Sequence, residues 1–366
     1  MSKQSQIRVL VVDDSAFLRR HIPLILEKDS TLKVVGIAAN GQEALDMTKE
    51  LRPDVITLDV IMPVMDGLAA LARIMKEVPT PVLMVSSATR KGAQQTIEAL
   101  SLGAVDYITK PSGPVSLDIG LIGKELIEKV KTVYAAKINN ISKVNAASEK
   151  FRKITEEFSQ GMPVNPMPDP IPIPRKRKIE LIGVAASTGG PAALQVLLGG
   201  LPSLPVGMVI VQHIVEGFSQ ALAQRLNGLS PMEVKVAASR EPILPGVVLL
   251  APAGQHLKVI RVGGNLYAFL DKEPSDTLHR PSADVLFSSM AEICGANCCA
   301  VIMTGMGEDG AKGIKKVRDR GGITMAQDEA TSLIFGMPKS AIAQGGIDIV
   351  TPLDGISREI LKTLQP

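Results

Sequence analysis

The chain has 366 residues, a formal net charge of +3 and a hydrophobic fraction of 45%. That length predicts two or three domains, each large enough to bury its own core. The net charge is too small to indicate a nucleic-acid-binding protein, and much of the basic excess lies in one run at residues 175–178. The composition is ordinary for a globular protein, so function has to be sought in individual motifs.

The three cysteines, Cys294, Cys298 and Cys299, are too few and too clustered to form a disulfide framework. We expect reduced thiols, and no further ligands nearby indicate a zinc site. The apolar run at residues 9–12 is too short for the core of a signal peptide, and no apolar stretch approaches the ~18 residues of a membrane span. The sequence therefore predicts a cytoplasmic protein with no membrane insertion.

The first third of the chain alternates short β-rich runs with helical segments. Five β/α repeats joined by short connections predict a parallel sheet covered by helices on both faces. The predicted strands are 7–12, 32–38, 54–58, 81–85 and 104–108, and the predicted helices are 16–27, 41–50, 68–76, 93–100 and 119–136.

The pattern breaks between about residues 139 and 178. Residues 148–159 are charged and could form a short helix, and residues 161–174 carry proline at nearly alternate positions. Proline has a fixed φ and no backbone donor, so we expect an extended spacer here. The basic run that follows leaves open a DNA-binding function, but no helix-turn-helix pattern accompanies it.

A second α/β pattern runs from residue 179 to the end, and its strands and helices predict a doubly wound domain. A turn at residues 263–265 predicts a hairpin, so we expect a mixed sheet with a mainly parallel centre. The predicted strands are 179–184, 207–212, 247–250, 256–262, 265–270, 299–303, 323–326 and 347–350, and the predicted helices are 191–198, 218–227, 283–292, 311–319 and 356–364.

Carboxylates collect at one predicted edge of the first sheet. Asp13 and Asp14 end the first strand and Asp59 ends the third, so they should converge. Carboxylates that close repel each other unless a hard cation such as Mg²⁺ neutralises them, and such a site suits phosphoryl transfer. Ser86 and Lys110 follow the next two strands and could hold a phosphate. Each residue alone could be no more than a cap of the following helix or turn.

The motifs around these residues resemble the receiver domain of bacterial response regulators. They are Val-Val-Asp13-Asp14-Ser, Leu-Asp59-Val-Ile-Met-Pro63-Val-Met-Asp66-Gly67, Met-Val-Ser86-Ser and Asp-Tyr107-Ile-Thr-Lys110-Pro111. The resemblance spans nearly all of residues 7–137 and implies a flavodoxin-like (βα)5 receiver domain over residues 5–138. It also implies that a chemotaxis histidine kinase phosphorylates Asp59.

The same resemblance implies roles for the other residues of this edge. Mg²⁺ would be held by Asp13, Asp14, Asp59 and the backbone carbonyl of Val60. Ser86 and Lys110 would contact the phosphoryl group, and Tyr107 would be the aromatic residue of the switch.

Three polar residues of the second domain, Ser187, His213 and Asp309, each follow closely on an apolar run predicted to be a strand. Serine, histidine and aspartate form the set of a nucleophile, its base and the residue that orients the base. The turn at residues 185–191 could equally hold phosphate, and its sequence is not the Gly-x-Ser-x-Gly elbow of the lipase–esterase fold. The Met306 N–H could face an oxyanion, and Glu308 is an alternative to Asp309.

The base could also be another histidine. His256 begins a predicted strand and His279 lies in a loop, whereas His213 ends the strand after the serine's own strand–helix unit. Position therefore favours His213, although a structural histidine remains an alternative at this site.

These turns, together with the segments at 279–284 and 335–339, resemble the catalytic domain of the chemotaxis methylesterase (CheB) family. The resemblance covers residues 179–366, with 139–178 as the interdomain linker. It implies hydrolysis of glutamate methyl esters, and deamidation of glutamines, on methyl-accepting chemotaxis receptors. It further implies Ser187 as nucleophile, His213 as general base and acid, Asp309 as the orienting residue, and Thr188 and Met306 lining the oxyanion site.

The function predicted from these motifs is a serine hydrolase that phosphorylation activates and that needs Mg²⁺ only in its receiver domain. The alternative from another class is a response regulator whose second domain only binds a receptor or a second messenger. A DNA-binding regulator is a third interpretation and depends on the basic run alone.

Overall fold

The computed structural model describes residues 6–87, 89–110, 119–136 and 178–365. The chain divides into two compact units, one for each α/β pattern of the sequence. The predicted helix at 148–159 and the proline-rich spacer lie outside the described residues. Among the residues described, no helix combines the length and the apolar character that crossing a bilayer requires.

The first unit contains a five-stranded sheet in the order β2-β1-β3-β4-β5, and all neighbouring strands are parallel. Every residue of β3 and β4 is buried, as expected for strands covered by helices on both faces. The prediction of a parallel (βα)5 sheet is confirmed. The strands are β1 (Ile7–Val12), β2 (Leu32–Ala38), β3 (Val55–Asp59), β4 (Val82–Ser86) and β5 (Asp106–Thr109).

Short polar side chains start most helices of this unit, because they accept the backbone N–H groups that the first turn leaves unpaired. Ser15, Asn40, Asp66 and Thr89 each cap a helix in this way. The helices are α1 (Ala16–Leu26), α2 (Gly41–Leu51), α3 (Gly67–Glu77), α4 (Arg90–Leu102) and α5 (Ile119–Ala135).

The second unit is built on a seven-stranded sheet in the order β15-β14-β13-β6-β7-β10-β8, again parallel throughout. Its central strands β6, β7 and β13 are buried at every position. The strands are β6 (Leu181–Ala186), β7 (Gly207–Gln212), β8 (Glu233–Val236), β10 (Val247–Leu250), β13 (Cys298–Ile302), β14 (Ile323–Gln327) and β15 (Ile349–Thr351).

A separate antiparallel sheet accounts for the predicted hairpin. It has the order β11-β12-β9, with β9 (Glu241–Pro242), β11 (His256–Val262) and β12 (Asn265–Asp271). Gly263 and Gly264 form the turn at positive φ, which glycine adopts without a steric cost. The prediction of one mixed sheet was wrong, because the hairpin packs its apolar face into the core as a layer of its own. The short strands β8 and β9 were not predicted.

Helices cover the large sheet, and one of them was also not predicted. That helix, Met337–Ala343, is only seven residues long, so its periodicity is too brief to read from the sequence. The helices are α6 (Gly190–Gly199), α7 (Ser219–Asn227), α8 (Ala283–Cys294), α9 (Ala311–Asp319), α10 (Met337–Ala343) and α11 (Leu353–Thr363).

Each parallel sheet has a point at which two neighbouring strands continue to opposite sides of the sheet. In the first sheet this point lies between β1 and β3, and in the second it lies between β6 and β13. Open α/β sheets bind ligands beyond the carboxyl ends of such strands. Two functional sites are therefore expected, one in each unit.

Candidate functional sites

Three carboxylates meet at the carboxyl edge of the first sheet. One carboxylate oxygen from each of Asp13, Asp14 and Asp59 lies within 4.8 Å of the other two. Asp13 and Asp59 are buried, whereas Asp14 is exposed. The turn after β3 lies so close to α3 that a side chain at Gly67 would collide with the Asp59 carbonyl. The tight turn holds Asp59 facing the end of β1.

Lys110 supplies a cation to this cluster. Its Nζ lies 2.7 Å from Asp59 Oδ2 and 3.0 Å from Asp13 Oδ2. Burial raises the pKa of Asp59 to about 6 against the opposing effect of Lys110, and the Asp13 charge adds to the rise. Burial by itself would lower the pKa of Lys110, but the two carboxylates outweigh it and raise that pKa. The single ammonium of Lys110 therefore neutralises only part of the negative charge of the three carboxylates.

The donor atoms of the cluster fit a hard divalent cation. All three side chains offer carboxylate oxygen, which Mg²⁺ prefers. Asp13 Oδ2 is buried and lies near Lys110 without the alignment of a hydrogen bond, so it can still accept a cation. The predicted ligand Val60 already accepts a hydrogen bond through its carbonyl, from the Gly67 N–H at 2.9 Å. A second lone pair remains on that oxygen.

The other predicted residues of this edge lie at the ends of β4 and β5. Ser86 is buried, and its Oγ is 3.3 Å from the carbonyl oxygens of Ser87 and Gly92. Its own carbonyl accepts the Lys110 N–H at 2.7 Å, which joins β4 to the residue after β5. Tyr107 lies within β5, and Lys129 Nζ is 5.8 Å from the centroid of its ring.

In the second unit, backbone hydrogen bonds align the turns after β13, β6 and β7. The Ser187 N–H donates to the Thr304 carbonyl at 2.9 Å, and the His213 N–H donates to the Ala186 carbonyl at 3.0 Å. These bonds extend the pairing of β6 with β13 and β7 beyond the strands themselves. The turns that carry Ser187, His213 and Asp309 therefore begin side by side.

The serine turn leads directly into α6. Gly189 adopts a φ of +78° at the start of this helix, and Pro191 occupies its first turn, where a missing N–H costs nothing. A side chain at Gly190 would collide with the amide of Gln212, so glycine is required there for close approach. The positive end of the α6 dipole lies directly after the serine turn and favours negative charge there.

An imidazole–carboxylate pair is the best-defined feature of this edge. His213 Nε2 lies 2.7 Å from Asp309 Oδ2. An ionised carboxylate only accepts hydrogen bonds, so Nε2 carries the proton. His213 Nδ1 is buried and has no hydrogen-bond partner. The ring therefore presents an open basic nitrogen on the side away from Asp309.

Asp309 accepts hydrogen bonds from several groups besides the histidine. Ser282 Oγ donates at 2.8 Å, the Ala283 N–H at 2.7 Å and the Asp284 N–H at 3.1 Å, all at the beginning of α8. Burial pushes the pKa of Asp309 up, but the His213 contact and the backbone donors outweigh it and hold that pKa well below its ordinary range. Asp309 is therefore a carboxylate of fixed orientation.

The structure joins the predicted histidine and aspartate but not the serine to them. Among the residues described, His213 Nδ1 has no hydrogen-bond partner, so it makes no hydrogen bond with Ser187 Oγ. Hydrogen bonds between a nucleophile and its base are often long in ligand-free sites and shorten when substrate binds. His213 is therefore oriented by Asp309, and its Nδ1 is unpaired next to the turn that carries Ser187.

The remaining predicted residues of the second unit lie around this pair. The Thr188 carbonyl accepts a hydrogen bond from Thr304 Oγ1 at 3.0 Å, and Met306 is half exposed on the loop after β13. Glu308 is exposed, and it is Asp309 that holds the imidazole. His256 is completely buried and both of its ring nitrogens are engaged in hydrogen bonds, which leaves it unavailable as a base.

Reasoning from the sequence weighed His279 only as an alternative base and gave no individual role to Gln212 or Ser282. The ring of His279 stacks on that of His213, with centroids 4.0 Å apart. Gln212 donates to the carbonyls of both Ser187 and His213. Ser282 caps α8 and binds Asp309. The available signal for Gln212 was a polar residue at the end of an apolar strand. The available signal for Ser282 was a Ser-Ala-Asp sequence at the start of a helix.

Comparisons with known proteins agree with this arrangement. The CheB methylesterase family model matches residues 182–360, and the response regulator receiver domain model matches residues 9–119. The chain is 45% identical over 360 residues to a protein-glutamate methylesterase/protein-glutamine glutaminase of Halalkalibacterium halodurans, covering 98% of this chain and 99% of that protein. A protein of the same name from Archaeoglobus fulgidus is 43% identical over 361 residues, 98% of each chain.

A solved structure adds agreement for the second unit. The Thermotoga maritima CheB methylesterase catalytic domain matches with a TM-score of 0.50 and 38% identity, over 51% of this chain and 99% of that one. The relatives match both units in one continuous alignment of nearly the whole chain. The chain therefore belongs to the CheB family of protein-glutamate methylesterases/protein-glutamine glutaminases.

Proposed function

We propose that this protein is a serine hydrolase that removes methyl esters from glutamate side chains of methyl-accepting chemotaxis receptors and deamidates glutamines there. Phosphorylation of its own receiver domain would activate it. The proposed domains are residues 5–138 for the receiver, 139–178 for the linker and 179–366 for the hydrolase. The observation that carries the proposal is the 2.7 Å contact between His213 and Asp309, with His213 Nδ1 buried and without a hydrogen-bond partner in the described part of the chain.

In the first half of the proposed reaction, Ser187 Oγ attacks the ester carbonyl carbon as its proton passes to His213 Nδ1. The C–O bond to the methoxy group then breaks, and methanol leaves with that proton. Asp309 stabilises the imidazolium between these two transfers, because its lowered pKa keeps it charged. For a glutamine substrate, the leaving group is ammonia.

In the second half, a water molecule loses a proton to His213 and attacks the glutamyl ester of Ser187. The bond to Ser187 Oγ breaks, the serine recovers its proton, and glutamate is released. The α6 N-terminus, Thr188 and the Met306 N–H would stabilise the oxyanion that forms in each half. Removing one such donor commonly costs ~2.7–4 kcal/mol of barrier height.

Control of the hydrolase is assigned to the acidic site. Asp59 would accept the phosphoryl group from a histidine kinase, and Asp13, Asp14, Asp59 and the Val60 carbonyl would hold Mg²⁺. When bound, the metal ion would neutralise part of the charge on the transferring group. Lys110, already paired with Asp59, would move to the phosphoryl oxygens together with the Ser86 hydroxyl. Tyr107 would change its environment when the charge on Asp59 changes.

The proposed substrate and phosphodonor belong to an intracellular signalling pathway, so the cytoplasm is the proposed compartment. The free, buried cysteines are consistent with this proposal. No nucleic-acid partner is proposed.

Methanol release from purified methylated receptor, with and without acetyl phosphate, tests the proposal. We expect release by the wild-type protein, strong stimulation by phosphodonor and Mg²⁺, and none above background for Ser187→Ala. Ser203→Ala is the matched control, because Ser203 is an exposed serine on the segment that enters β7 from the opposite edge. Release by Ser187→Ala at the wild-type rate would remove the assigned nucleophile.

The phosphorylation step is tested separately. Asp59→Asn should keep the basal rate and lose all response to acetyl phosphate. An unchanged response would remove Asp59 from control but leave the hydrolase assignment intact. A wild-type protein that binds receptor but releases no methanol would favour the alternative in which the second domain only binds.

A further inference from the structure

The second unit contains a buried histidine that the proposed mechanism does not use. His256 begins β11 and is completely shielded from solvent. Its Nδ1 accepts a hydrogen bond from the Ser282 N–H at 3.2 Å, and its Nε2 lies 3.1 Å from the Pro274 carbonyl oxygen. A carbonyl only accepts and a backbone N–H only donates, so this ring is the neutral tautomer protonated on Nε2. Both nitrogens are engaged, which excludes His256 as a second base.

These two bonds fasten a single segment of chain at both of its ends. Residues 274–282, here called the strap, leave the ring at Pro274 and return to it at Ser282. Further bonds close the strap on itself and onto the domain. Arg280 donates from a guanidinium nitrogen to the Ser275 carbonyl at 3.1 Å, and the Arg280 carbonyl accepts the Gly254 N–H at 3.0 Å.

The end of the strap is in direct contact with the Asp309 carboxylate. Ser282 donates through Oγ to Asp309 Oδ1 at 2.8 Å, and the next two backbone N–H groups donate to the same carboxylate. The N–H of Ser282 itself donates to His256. His256 therefore fixes the position of Ser282, the residue that caps α8. Ser282 in turn binds the Asp309 carboxylate, so His256 is linked to Asp309 through this one residue.

The middle of the strap contacts the other member of the pair. His279 lies on the strap, and its ring stacks on that of His213 at a centroid distance of 4.0 Å and an interplanar angle of 21°. One strap thus contacts the carboxylate of Asp309 at its end and the face of the His213 imidazole in its middle. The ring of His256 connects to both through the strap.

We propose that His256 is a positioning residue for hydrolysis, which holds the strap so that Asp309 and His213 keep the alignment required for proton transfer. This inference rests on the function proposed above. His256 touches neither substrate nor the reacting atoms, so its removal lowers the turnover rate without abolishing it. The ring is completely buried, so it cannot touch a bound receptor, and receptor affinity should not change.

Two substitutions test the hydrogen bonds of the two His256 ring nitrogens one at a time. His256→Asn keeps an acceptor near the position of Nδ1, facing Ser282, and His256→Gln keeps a donor near the position of Nε2, facing Pro274. We expect His256→Asn to retain kcat within about threefold of wild type and His256→Gln to lose about tenfold or more, as for loss of a buried hydrogen bond. KM should stay unchanged in both variants.

Two readouts report on the site independently of the receptor. The first is the rate at which a fluorophosphonate labels Ser187, which should fall with kcat. The second is the low-field proton resonance of the short His213–Asp309 hydrogen bond, which should persist in His256→Asn and shift or broaden in His256→Gln. A purely structural role would alter the melting temperature and leave these two readouts equal in the variants that remain folded.

A second pair of variants covers the case in which both His256 variants fail to fold. Ser282→Ala removes the Oγ donor to Asp309 and leaves the backbone in place, and Ser282→Thr restores a hydroxyl. We expect loss of labelling rate in the first and recovery in the second. Equal labelling rates and an unchanged resonance across all folded variants would overturn the inference. A wild-type protein that is labelled normally but releases no methanol would refute the proposed function. The labelling rates and the low-field resonance would still test the positioning role of His256.

Discussion

Gln212 donates a hydrogen bond from its amide nitrogen to the carbonyl oxygen of Ser187, 2.8 Å away. The same nitrogen lies 3.0 Å from the carbonyl oxygen of His213, and the side chain is almost completely buried. An amide nitrogen has two hydrogens, so both bonds form at once. One side chain thereby ties the turn of the proposed nucleophile to the turn of the proposed base.

Replacing Gln212 by glutamate should therefore damage catalysis out of proportion to its change in size. A carboxylate would face two carbonyl oxygens with no proton to offer, and burial makes that arrangement costly. We expect kcat for methanol release to fall by about 10- to 100-fold with little change in KM. Gln224→Glu, on the exposed face of α7, controls for added charge and should behave as wild type. Equal activity of the two variants would contradict the prediction.

Asp309→Asn should have a larger effect than any other conservative substitution at this site. An asparagine can turn only one oxygen toward its donors, which leaves its NH₂ facing an N–H or hydroxyl group and favours the wrong tautomer of His213. By analogy with other serine hydrolases, kcat should fall by roughly 10³- to 10⁴-fold.

Asp284→Asn is the matched control for this substitution. Asp284 lies in the first turn of α8, which contacts Asp309, but its carboxylate accepts from the Gly313 N–H at 2.6 Å and not from His213. We expect kcat of Asp284→Asn to stay within about tenfold of wild type. Only the hydrogen bond from the Gly313 N–H changes, because its acceptor becomes a neutral amide in place of a carboxylate. Steady-state methanol release checks both variants, and similar losses in the two would argue against the orienting role of Asp309.

The stack of His279 on His213 predicts a modest contribution that depends on an aromatic face. Aromatic pairs contribute ~0.5–1.5 kcal/mol beyond burial, so His279→Ala should lower kcat by about 2- to 13-fold. His279→Phe should keep most of the activity. His21→Ala, which removes a ring stacked on Phe17 in the first unit, should leave basal activity unchanged. Retention of full activity by His279→Ala would show that the stack is incidental.

Asp59 should make the stability of the first domain depend on pH in an unusual direction. Burial raises its pKa in the folded protein from 3.8 to about 6. A carboxyl group with a raised folded pKa stabilises the fold below its unfolded pKa, and that contribution is lost as pH rises through the folded pKa. The wild-type domain should therefore lose roughly 1–3 kcal/mol between about pH 4 and pH 7 from this group.

Asp59→Asn removes this dependence and should raise the melting temperature of the first domain above pH 7, with a gap that shrinks toward pH 4. Calorimetry of the full chain in a chelating buffer measures the gap without bound divalent cations. Asp14→Asn, at the exposed carboxylate of the cluster, should show a much smaller gap. A gap that grew as pH fell would reverse the sign expected from burial. Added Mg²⁺ should narrow the gap by stabilising the wild-type carboxylates.

Local patterns in the sequence were enough for most elements of both sheets. The strands at 207–212, 247–250 and 256–262 and the helix at 311–319 were predicted at their observed bounds. Buried parallel strands are continuous apolar runs, which stand out from their surroundings. The failures were short elements, such as β9 and α10, and the assignment of the hairpin to the main sheet, which depends on packing between layers.

The order of the motifs along the chain also indicated two sites at the ends of parallel strands, with Asp59 in one and Ser187, His213 and Asp309 in the other. That much follows from the sequence, because polar residues that close apolar strands in an α/β fold must share one edge of a sheet.

The folded chain alone decided which atoms meet. It brought His213 Nε2, and not Nδ1, to Asp309, and it left His213 Nδ1 without a hydrogen-bond partner among the residues described. It also collected Gln212, His256, His279 and Ser282 around that pair. The side chains that orient a buried base reach it from distant segments, and their hydrogen bonds depend on ångström-scale packing that no periodicity or local motif encodes.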